Sequence, residues 1–181
     1  MIIFVGVDPG QTGAIACLEL HGGILNNPLP IELLCRVWDI PQKRDGGIGF
    51  AQLANIILND LPSEVAAIAI EKVGVRPGQG VSSSGKFMYG AGFLHGILMP
   101  VANSLHFVTP QEWKKSLKLI GKDKQASLAL ARRLFPSLRS GLTRLKDHGR
   151  AEALLICWWL VTQQQPRYAK AYLQTLETVQ Q

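Results

Sequence analysis

Two carboxylates each follow an apolar run that has the length of a buried strand. Asp8 comes directly after residues 2–7, and Glu71 comes directly after residues 65–70. A carboxylate that leaves the core in this way is costly unless it is paired, protonated or bound to a cation. Neighbouring parallel strands would place both acids at one edge of a sheet, where a divalent cation offsets their repulsion. Taken alone, Asp8 also fits an ordinary turn before Pro and Gly, and Glu71 also fits an ion pair.

A third acidic group stands at the entrance of a strongly apolar helix, in the segment KDHGRAE of residues 146–152. Glu152 opens this helix and is followed by apolar residues, so it is predicted to face inward. Asp147 lies just outside the helix, where it either caps the helix or reaches the same centre. His148 is four residues before Glu152 and shares its helical face. Either Asp147 or His148 completes the site, and His148 is otherwise a candidate proton carrier or a surface residue.

The predicted catalytic residues are also the predicted metal ligands, and they are Asp8, Glu71, Asp147 and Glu152. Oxygen donors of this kind suit Mg²⁺, with Mn²⁺ as a substitute, whereas His and Cys ligands favour zinc or softer metals. Hydrolysis of a phosphodiester needs an activated water and a stabilised leaving oxygen. Two Mg²⁺ ions about 3.5–4 Å apart supply both. These acids could therefore hold the magnesium ions that phosphodiester hydrolysis uses.

Positive charge is concentrated in one part of the chain. The net charge is +6, and the segment 111–150 alone holds eleven Lys and Arg residues against three Asp and Glu. Such a basic segment on a nearly neutral body indicates a polyanion partner, and the alternative is a solvated helical face. Lysines at helix starts suit phosphate contact, which gives salt-dependent affinity. The predicted DNA-binding residues are Lys114, Lys115, Lys122 and Lys124, together with Arg76 and Lys86 from a Gly/Ser-rich loop that would order on DNA.

The elements that position these residues follow from periodicity. We predict strands over residues 2–7, 14–20, 33–40, 65–70 and 105–108, a helix over 50–61 and another over 85–98, and helices after residue 109. Gly92 and Gly96 share one helical face and allow close approach of a neighbour or a second subunit. The loop 73–84 is predicted to be mobile. One domain is expected over 1–162, and a helical tail over 163–181.

Cysteine content and hydropathy indicate the cellular compartment in which the protein is expected. The three cysteines are odd in number and have no metal-binding spacing, so we expect buried thiols in a reducing cytoplasm. The longest apolar stretch, around residues 91–102, is broken by His95 and Pro100, which argues against a membrane span. No leader of the secretory type is expected, because the apolar start lacks basic residues.

The segments GVDPGQTGAIA, AIAIEKV, TPQEWKKSL, GKDKQAS and DHGRAEALLIC resemble, in order and spacing, the RuvC family of Holliday-junction resolvases, and most closely its phage and prophage branch. The resemblance covers residues 2–160. It implies an α/β, RNase H-like fold with a mixed five-stranded sheet flanked by helices, a homodimer, and symmetrical nicking of four-way DNA junctions. It carries the family's acidic site onto Asp8, Glu71 and the Asp147/Glu152 region. Lys115 and Lys124 match DNA-contacting positions.

The chain departs from the family's pattern at two places. The family has an acid three residues before its last acid, where this chain has Gly149. Bacterial members carry an aromatic residue just after the second acid, and this chain has Val73 and Gly74 instead. The first departure leaves the third ligand open. The second leaves the selectivity for junctions open.

Three other hypotheses compete with a resolvase. The segment DPGQT also fits the first phosphate loop of the actin, sugar-kinase and heat-shock superfamily, but those proteins need a second such domain for which 181 residues leave no room. A catalytically silent DNA-binding module would use the acids only as caps and ion pairs. A nuclease for flaps, forks or RNA–DNA hybrids would keep the fold and the metal chemistry. The leading hypothesis is a homodimeric, magnesium-dependent endonuclease that cuts branched DNA.

Overall fold

The apolar runs predicted as strands pair into one sheet. In a computed structural model of the chain, which describes residues 1–22, 31–44, 47–74, 78 and 80–179, five strands lie in the order β3-β2-β1-β4-β5. The pairs β1/β2 and β2/β3 are antiparallel, and β1/β4 and β4/β5 are parallel. The strands are β1 (Ile2–Asp8), β2 (Ala14–His21), β3 (Glu32–Asp39), β4 (Ala67–Glu71) and β5 (Leu105–Val108). The predicted mixed five-stranded sheet is thus confirmed.

Helices cover both faces of this sheet. They are α1 (Phe50–Asn55, continued by a π-helical turn Ile56–Asp60), α2 (Val81–Leu98), α3 (Pro110–Ser116), α4 (Lys124–Leu134), α5 (His148–Gln164) and α6 (Pro166–Val179), with 3-10 turns at Pro136–Leu142 and Leu145–Asp147. One apolar cluster lies between the sheet and α3 to α6, and a second lies between the sheet and α1 and α2. No helix in the described part of the chain is both long and apolar enough to cross a bilayer.

Helix α5 lies directly on the central strand β1. A Cβ atom at Gly6 would come within 2.4 Å of the Ala153 carbonyl oxygen and of the Cys157 amide nitrogen. Only glycine therefore allows this close approach. The contact fixes the start of α5 relative to the end of β1, and these are the two places where the sequence has its predicted acids.

Two predicted boundaries differ from the structure by more than one residue. Helix α2 begins at Val81, four residues before the predicted start, so part of the loop expected to be mobile is helical. Buried contacts of Leu94 and Leu98 on the same helix outweigh the weak helix propensity of its serines and glycines. Val65 forms only an isolated bridge with Ala102, and β4 begins two residues later.

The C-terminal helix α6 packs on the first apolar cluster. Tyr168, Ala169 and Tyr172 are buried there, and the two tyrosine hydroxyls donate to the carbonyls of Glu32 and Leu134. The division of the chain into a domain and a tail stays a prediction. Cys17 and Cys157 are buried and Cys35 is half-buried, and burial raises the pKa of the Cys17 and Cys35 thiols to about 12.

Candidate metal and nucleic-acid site

The two strand-end acids lie side by side. Strands β1 and β4 are parallel, and Val7 pairs with Ile70, so the next residues, Asp8 and Glu71, end neighbouring strands at the same edge. This strand arrangement is the one that the sequence predicted. Both carboxylates line one cleft of about 360 Å³, which we call the acid cleft.

Asp8 is held by the turn that follows it. The amide of Gly10 donates to Asp8 Oδ1 over 2.9 Å. The residue is only 8% exposed, and burial raises the pKa of its carboxyl to about 6, against lowering by the Gly10 hydrogen bond and raising by nearby Glu152. The ionised carboxylate is therefore destabilised where it stands, which is the condition under which a bound cation is favoured.

Glu71 is positioned by helix α3. Thr109 caps this helix and forms a capping box with Glu112, as the Thr-Pro start predicts. The box places the buried Trp113 so that its indole Nε1 donates to Glu71 Oε1 over 2.8 Å. Burial raises the pKa of Glu71 to about 7, the Trp113 hydrogen bond lowers it, and Asp8 and Glu152 raise it further.

Glu152 is a further acid of the cleft, and Lys114 is the cation closest to it. Lys114 Nζ lies 3.0 Å from Glu152 Oε1 and 4.9 Å from the centre of the Trp113 ring. The same ammonium lowers the pKa values of Asp8 and Glu71. A positive charge is thus already in the place where carboxylates would otherwise repel one another.

Further lysines and a histidine lie around the acids. Lys122 and Lys124 line the acid cleft at the start of α4. His148 Nδ1 is 3.1 Å from the Leu145 carbonyl, so the proton belongs on Nδ1, and Nε2 then accepts from Lys124 Nζ at 3.2 Å. An imidazole with its Nε2 turned toward the cleft can accept a proton there.

Some lining residues were not predicted as site residues. Asp123 caps α4 by accepting from the Ala126 amide at 3.0 Å, and its position between two chosen lysines was the available signal. Ser127 and Phe87 gave no local signal, because their packing depends on how α4 and α2 meet the sheet. Phe87 adds an aromatic side chain to the acid cleft although the position after Glu71 lacks one.

Asp147 does not line the acid cleft. Its buried carboxylate accepts from the Arg144 backbone amide at 2.8 Å and from Arg144 Nη2 at 2.8 Å, and these bonds to Arg144 lower its pKa. It lines a second cavity of about 230 Å³, which we call the basic cavity, with Arg144 and Lys146. The prediction that Asp147 reaches the same centre as Asp8 does not fit this arrangement, because Arg144 holds the carboxylate elsewhere.

Close packing explains why Gly149 stands where the family pattern has an acid. A Cβ atom at this position would lie 2.0 Å from the carbonyl oxygen of Thr12. Helix α5 therefore begins against the turn between β1 and β2, and no side chain fits between them. An acid at this position is excluded by sterics, and the acids of the cleft come from other positions.

The other predicted DNA-binding residues lie in different surroundings. Lys115 is exposed and points outside the acid cleft, whereas its neighbour Lys114 lines it. Lys86 is an exposed residue in the first turns of α2. Arg76 lies outside the described residues. The cleft lysines are therefore Lys114, Lys122 and Lys124.

The donor chemistry of the acid cleft suits a hard divalent cation. Its acids offer carboxylate oxygens, and burial disfavours the ionised forms of Asp8 and Glu71. Among the residues that the structure describes, no three His, Cys, Asp or Glu side chains already stand as a preformed metal site. Glu152 is paired with Lys114 in this structure, so the lysine must leave before Glu152 can bind a metal.

Comparisons with known proteins agree with this fold. No protein-family model matches the chain. It is 36% identical over 111 residues, 59% of its length, to the chloroplastic Holliday junction resolvase MOC1 of Chlamydomonas reinhardtii, and it spans 13% of that relative's length. It superposes on Thermus thermophilus RuvC with 18% identity and a TM-score of 0.51, and on the same protein in complex with a Holliday junction substrate with 16% identity and a TM-score of 0.53, each over 96% of both chains. The chain therefore has the RNase H-like fold of RuvC and is similar in sequence to part of a Holliday junction resolvase.

Proposed function

We propose that this protein is a metal-dependent endonuclease that resolves four-way DNA junctions by symmetrical phosphodiester cuts. One observation carries the proposal: Asp8, Glu71 and Glu152 line one cleft together with Lys114, Lys122 and Lys124. Carboxylates and lysines in one cleft suit a phosphodiester, because the lysines bind its phosphate and the acids bind a metal beside it.

We assign Asp8, Glu71 and Glu152 as the ligands of Mg²⁺, with Mn²⁺ as a substitute. When bound, the divalent cation supplies an activated water at neutral pH and stabilises charge on the leaving oxygen. The chain's own groups prepare the site. The Gly10 amide orients Asp8, the Trp113 indole orients Glu71, and Lys114 holds Glu152 in the metal-free protein.

The remaining groups of the acid cleft act on the substrate. Lys122 and Lys124 hold phosphate oxygens at the rim, and Lys114 becomes a third phosphate contact once it leaves Glu152. His148 Nε2, which lies 3.2 Å from Lys124 Nζ, takes up a proton in the cleft. Asp147 is left out of the metal-ligand set, because its oxygens are bonded to Arg144.

Branched DNA as the substrate is supported by the known relatives. The Chlamydomonas protein is named a Holliday junction resolvase, and one superposed RuvC structure holds a Holliday junction substrate. The chain covers only 13% of the first of these proteins, so substrate and partners come to this chain as proposals. Cuts on two strands of a two-fold symmetric junction need two active sites, which favours a homodimer.

Helix α2 offers a surface for this dimer. Added Cβ atoms at Gly85, Gly92 and Gly96 would meet no other atom within 4 Å, and Met88 is 44% exposed beside them. Because glycines have no side chain, a helix face lined by them lets a second helix approach closely. Gly92→Arg is expected to convert a dimer to a monomer in sedimentation equilibrium, with Gly141→Ala, in ordinary contact distance of Arg150, as the control.

The test compares labelled four-way, fork, flap and linear DNA, with and without Mg²⁺, for the wild type and Asp8→Asn. We expect cutting of the four-way junction in symmetrical positions, only with metal, and loss of cutting in the variant. Equal cutting of all substrates would sink the junction proposal and favour a general nuclease for branched nucleic acids. Full activity of Asp8→Asn would contradict the assignment of Asp8 to a metal site. DNA binding by the wild type without any cutting would indicate a catalytically silent binding module.

A further inference from the structure

The acid cleft adjoins the basic cavity at the turn after β1. Thr12 lines both cavities, and the basic cavity is otherwise lined by Gln11, Gln42, Arg144, Lys146 and Asp147, among others. Gln42 Nε2 donates to the Gln11 carbonyl, so the turn is tied to the segment after β3. A strand of nucleic acid that enters the acid cleft can therefore continue into the basic cavity without leaving the protein surface.

Arg144 is held in a defined orientation by Asp147. The two side chains share bonds from Nε and Nη2 of the guanidinium to Asp147 Oδ1, at 3.2 and 2.8 Å, and the Arg144 amide donates to Oδ2 of the same carboxylate. Asp147 is only 4% exposed, whereas the Arg144 side chain is 58% exposed. One edge of the guanidinium is thus fixed, and the other N–H groups remain available for an anion.

The lining of the basic cavity holds two cations, Arg144 and Lys146, and two carboxylates, Asp147 and Asp39. Its second acid, Asp39, is bonded to Arg150 by Nε at 2.6 Å and by Nη2 at 2.5 Å. Lys146 is exposed and has no carboxylate partner among the described residues. With Arg150 included, three cations face two carboxylates, each of which already has its own arginine. An anion that enters the cavity meets Lys146 and the open edge of Arg144.

We propose that the basic cavity binds a backbone phosphate of the same nucleic-acid strand whose scissile phosphate lies in the acid cleft, with Arg144 and Lys146 as its ligands. The proposal rests on the proposed nuclease function. Asp147 is then a positioning residue, which holds the guanidinium toward the phosphate. Two phosphate sites on either side of Thr12 fix the direction of the strand across the metal site.

The salt dependence of DNA binding tests this site. Binding of a labelled four-way junction is measured in EDTA by fluorescence anisotropy between about 50 and 200 mM KCl. The double variant Arg144→Gln/Lys146→Ala is expected to lower the slope of log K against log salt by about one and to bind about tenfold more weakly at 0.1 M salt. The matched control, Arg167→Gln/Lys170→Ala, removes the same charges from the exposed face of α6, which lines neither cavity, and is expected to keep the wild-type slope.

Three more variants separate effects on DNA binding from effects on folding and on metal binding. Lys146→Ala alone changes an exposed side chain, and Arg144→Gln/Asp147→Asn removes both charges of the pair between Arg144 and Asp147. Each is expected to reduce the salt slope. Asp147→Asn is expected to weaken DNA binding while the Mg²⁺ concentration for half-maximal cleavage stays at the wild-type value. A raised Mg²⁺ requirement with unchanged DNA affinity would make Asp147 a metal ligand and overturn its positioning role.

The outcomes distinguish this inference from the function on which it rests. If the wild type binds junction DNA with a clear salt slope, and the Arg144/Lys146 variants keep that slope, the basic cavity is not a phosphate site. If the wild type itself shows no salt-dependent binding to junction DNA, the nuclease proposal fails as well. A smaller slope for the Arg144/Lys146 variants, together with the wild-type slope for the α6 control, supports the site.

Discussion

The acid cleft and the basic cavity adjoin at one turn, yet their carboxylates have opposite electrostatic surroundings. In the acid cleft, burial raises the pKa of Asp8 to about 6 and that of Glu71 to about 7, although the nearby ammonium of Lys114 lowers both. In the basic cavity, direct bonds to Arg144 lower the pKa of Asp147. A carboxylate that its surroundings destabilise is a candidate for ligand binding, whereas one that is fully compensated is a structural or positioning group.

The largest expected effect is a difference in cleavage rate between acid variants of the acid cleft and of the basic cavity. Asp8→Asn or Glu71→Gln is expected to slow single-turnover cleavage of a four-way junction more than about 100-fold, because even an outer-shell partner of a metal ligand costs about 10–100-fold. Asp147→Asn is expected to cost less than about tenfold at saturating protein, since it acts through DNA affinity. Cleavage rates are compared only for variants that fold like the wild type. Equal losses for Asp8→Asn and Asp147→Asn would break the comparison and return Asp147 to the catalytic set.

The second effect is that the two substitutions are expected to change the free energy of unfolding in opposite directions. In EDTA at about pH 8, Asp8→Asn is expected to raise the free energy of unfolding by on the order of 1–3 kcal/mol, because the ionised form of a buried acid is lost. Asp147→Asn is expected to lower it by about 1–2 kcal/mol, because hydrogen bonds to Arg144 are weakened. Urea denaturation measures both. A loss of stability in Asp8→Asn would mean that the metal-free cleft already satisfies this acid.

The pH dependence of the same stability follows from the two raised pKa values. The unfolded chain releases the Asp8 and Glu71 protons near their usual pKa values of 3.8 and 4.5, and the folded chain releases them only at about 6 and 7. The unfolded state therefore binds fewer protons in this range, and the free energy of unfolding in EDTA falls as the pH rises from about 4 to 7. The double variant Asp8→Asn/Glu71→Gln is expected to remove most of this fall.

A smaller effect concerns the hydrogen bond that orients Glu71. Trp113→Phe removes the indole donor, so the pKa of Glu71 rises further and metal binding needs a higher pH. The pH for half-maximal cleavage is expected to move up by about 0.5–1. Trp158→Phe is the control, because this buried tryptophan packs against Phe135 and Tyr172. An equal pH shift in both variants would attribute the effect to general loosening of the core.

The smallest effect compares two lysines of the basic segment. Lys124 lines the acid cleft, and Lys115 is exposed outside it. Lys124→Ala is expected to weaken junction binding about tenfold at 0.1 M salt, and Lys115→Ala by less than about twofold. Anisotropy in EDTA measures both. Equal weakening would extend the DNA surface to Lys115, as the sequence resemblance implies.

Much of the fold and part of the site could be predicted from local pattern. Alternating and continuous apolar runs predict the strands, and Thr109 with Glu112 predicts the start of α3. The paired acids Asp8 and Glu71 follow from the rule that parallel strands end at the same sheet edge. Lys114 and Lys115 could not be told apart, because neighbouring positions on a short helix differ only in which one faces the cleft.

The sequence itself determined that Asp8 and Glu71 end two apolar strands, since strand ends are set by where apolar residues stop. Which acid of the segment 146–152 enters the acid cleft was decided only by tertiary structure. Gly149 must lie against Thr12, and this contact sets the start of α5, which brings Glu152 into the acid cleft while Asp147 bonds to Arg144. The reason is steric and electrostatic at once: a carboxylate pairs with the cation that the packed chain brings within reach, and packing of this kind is not written in local spacing.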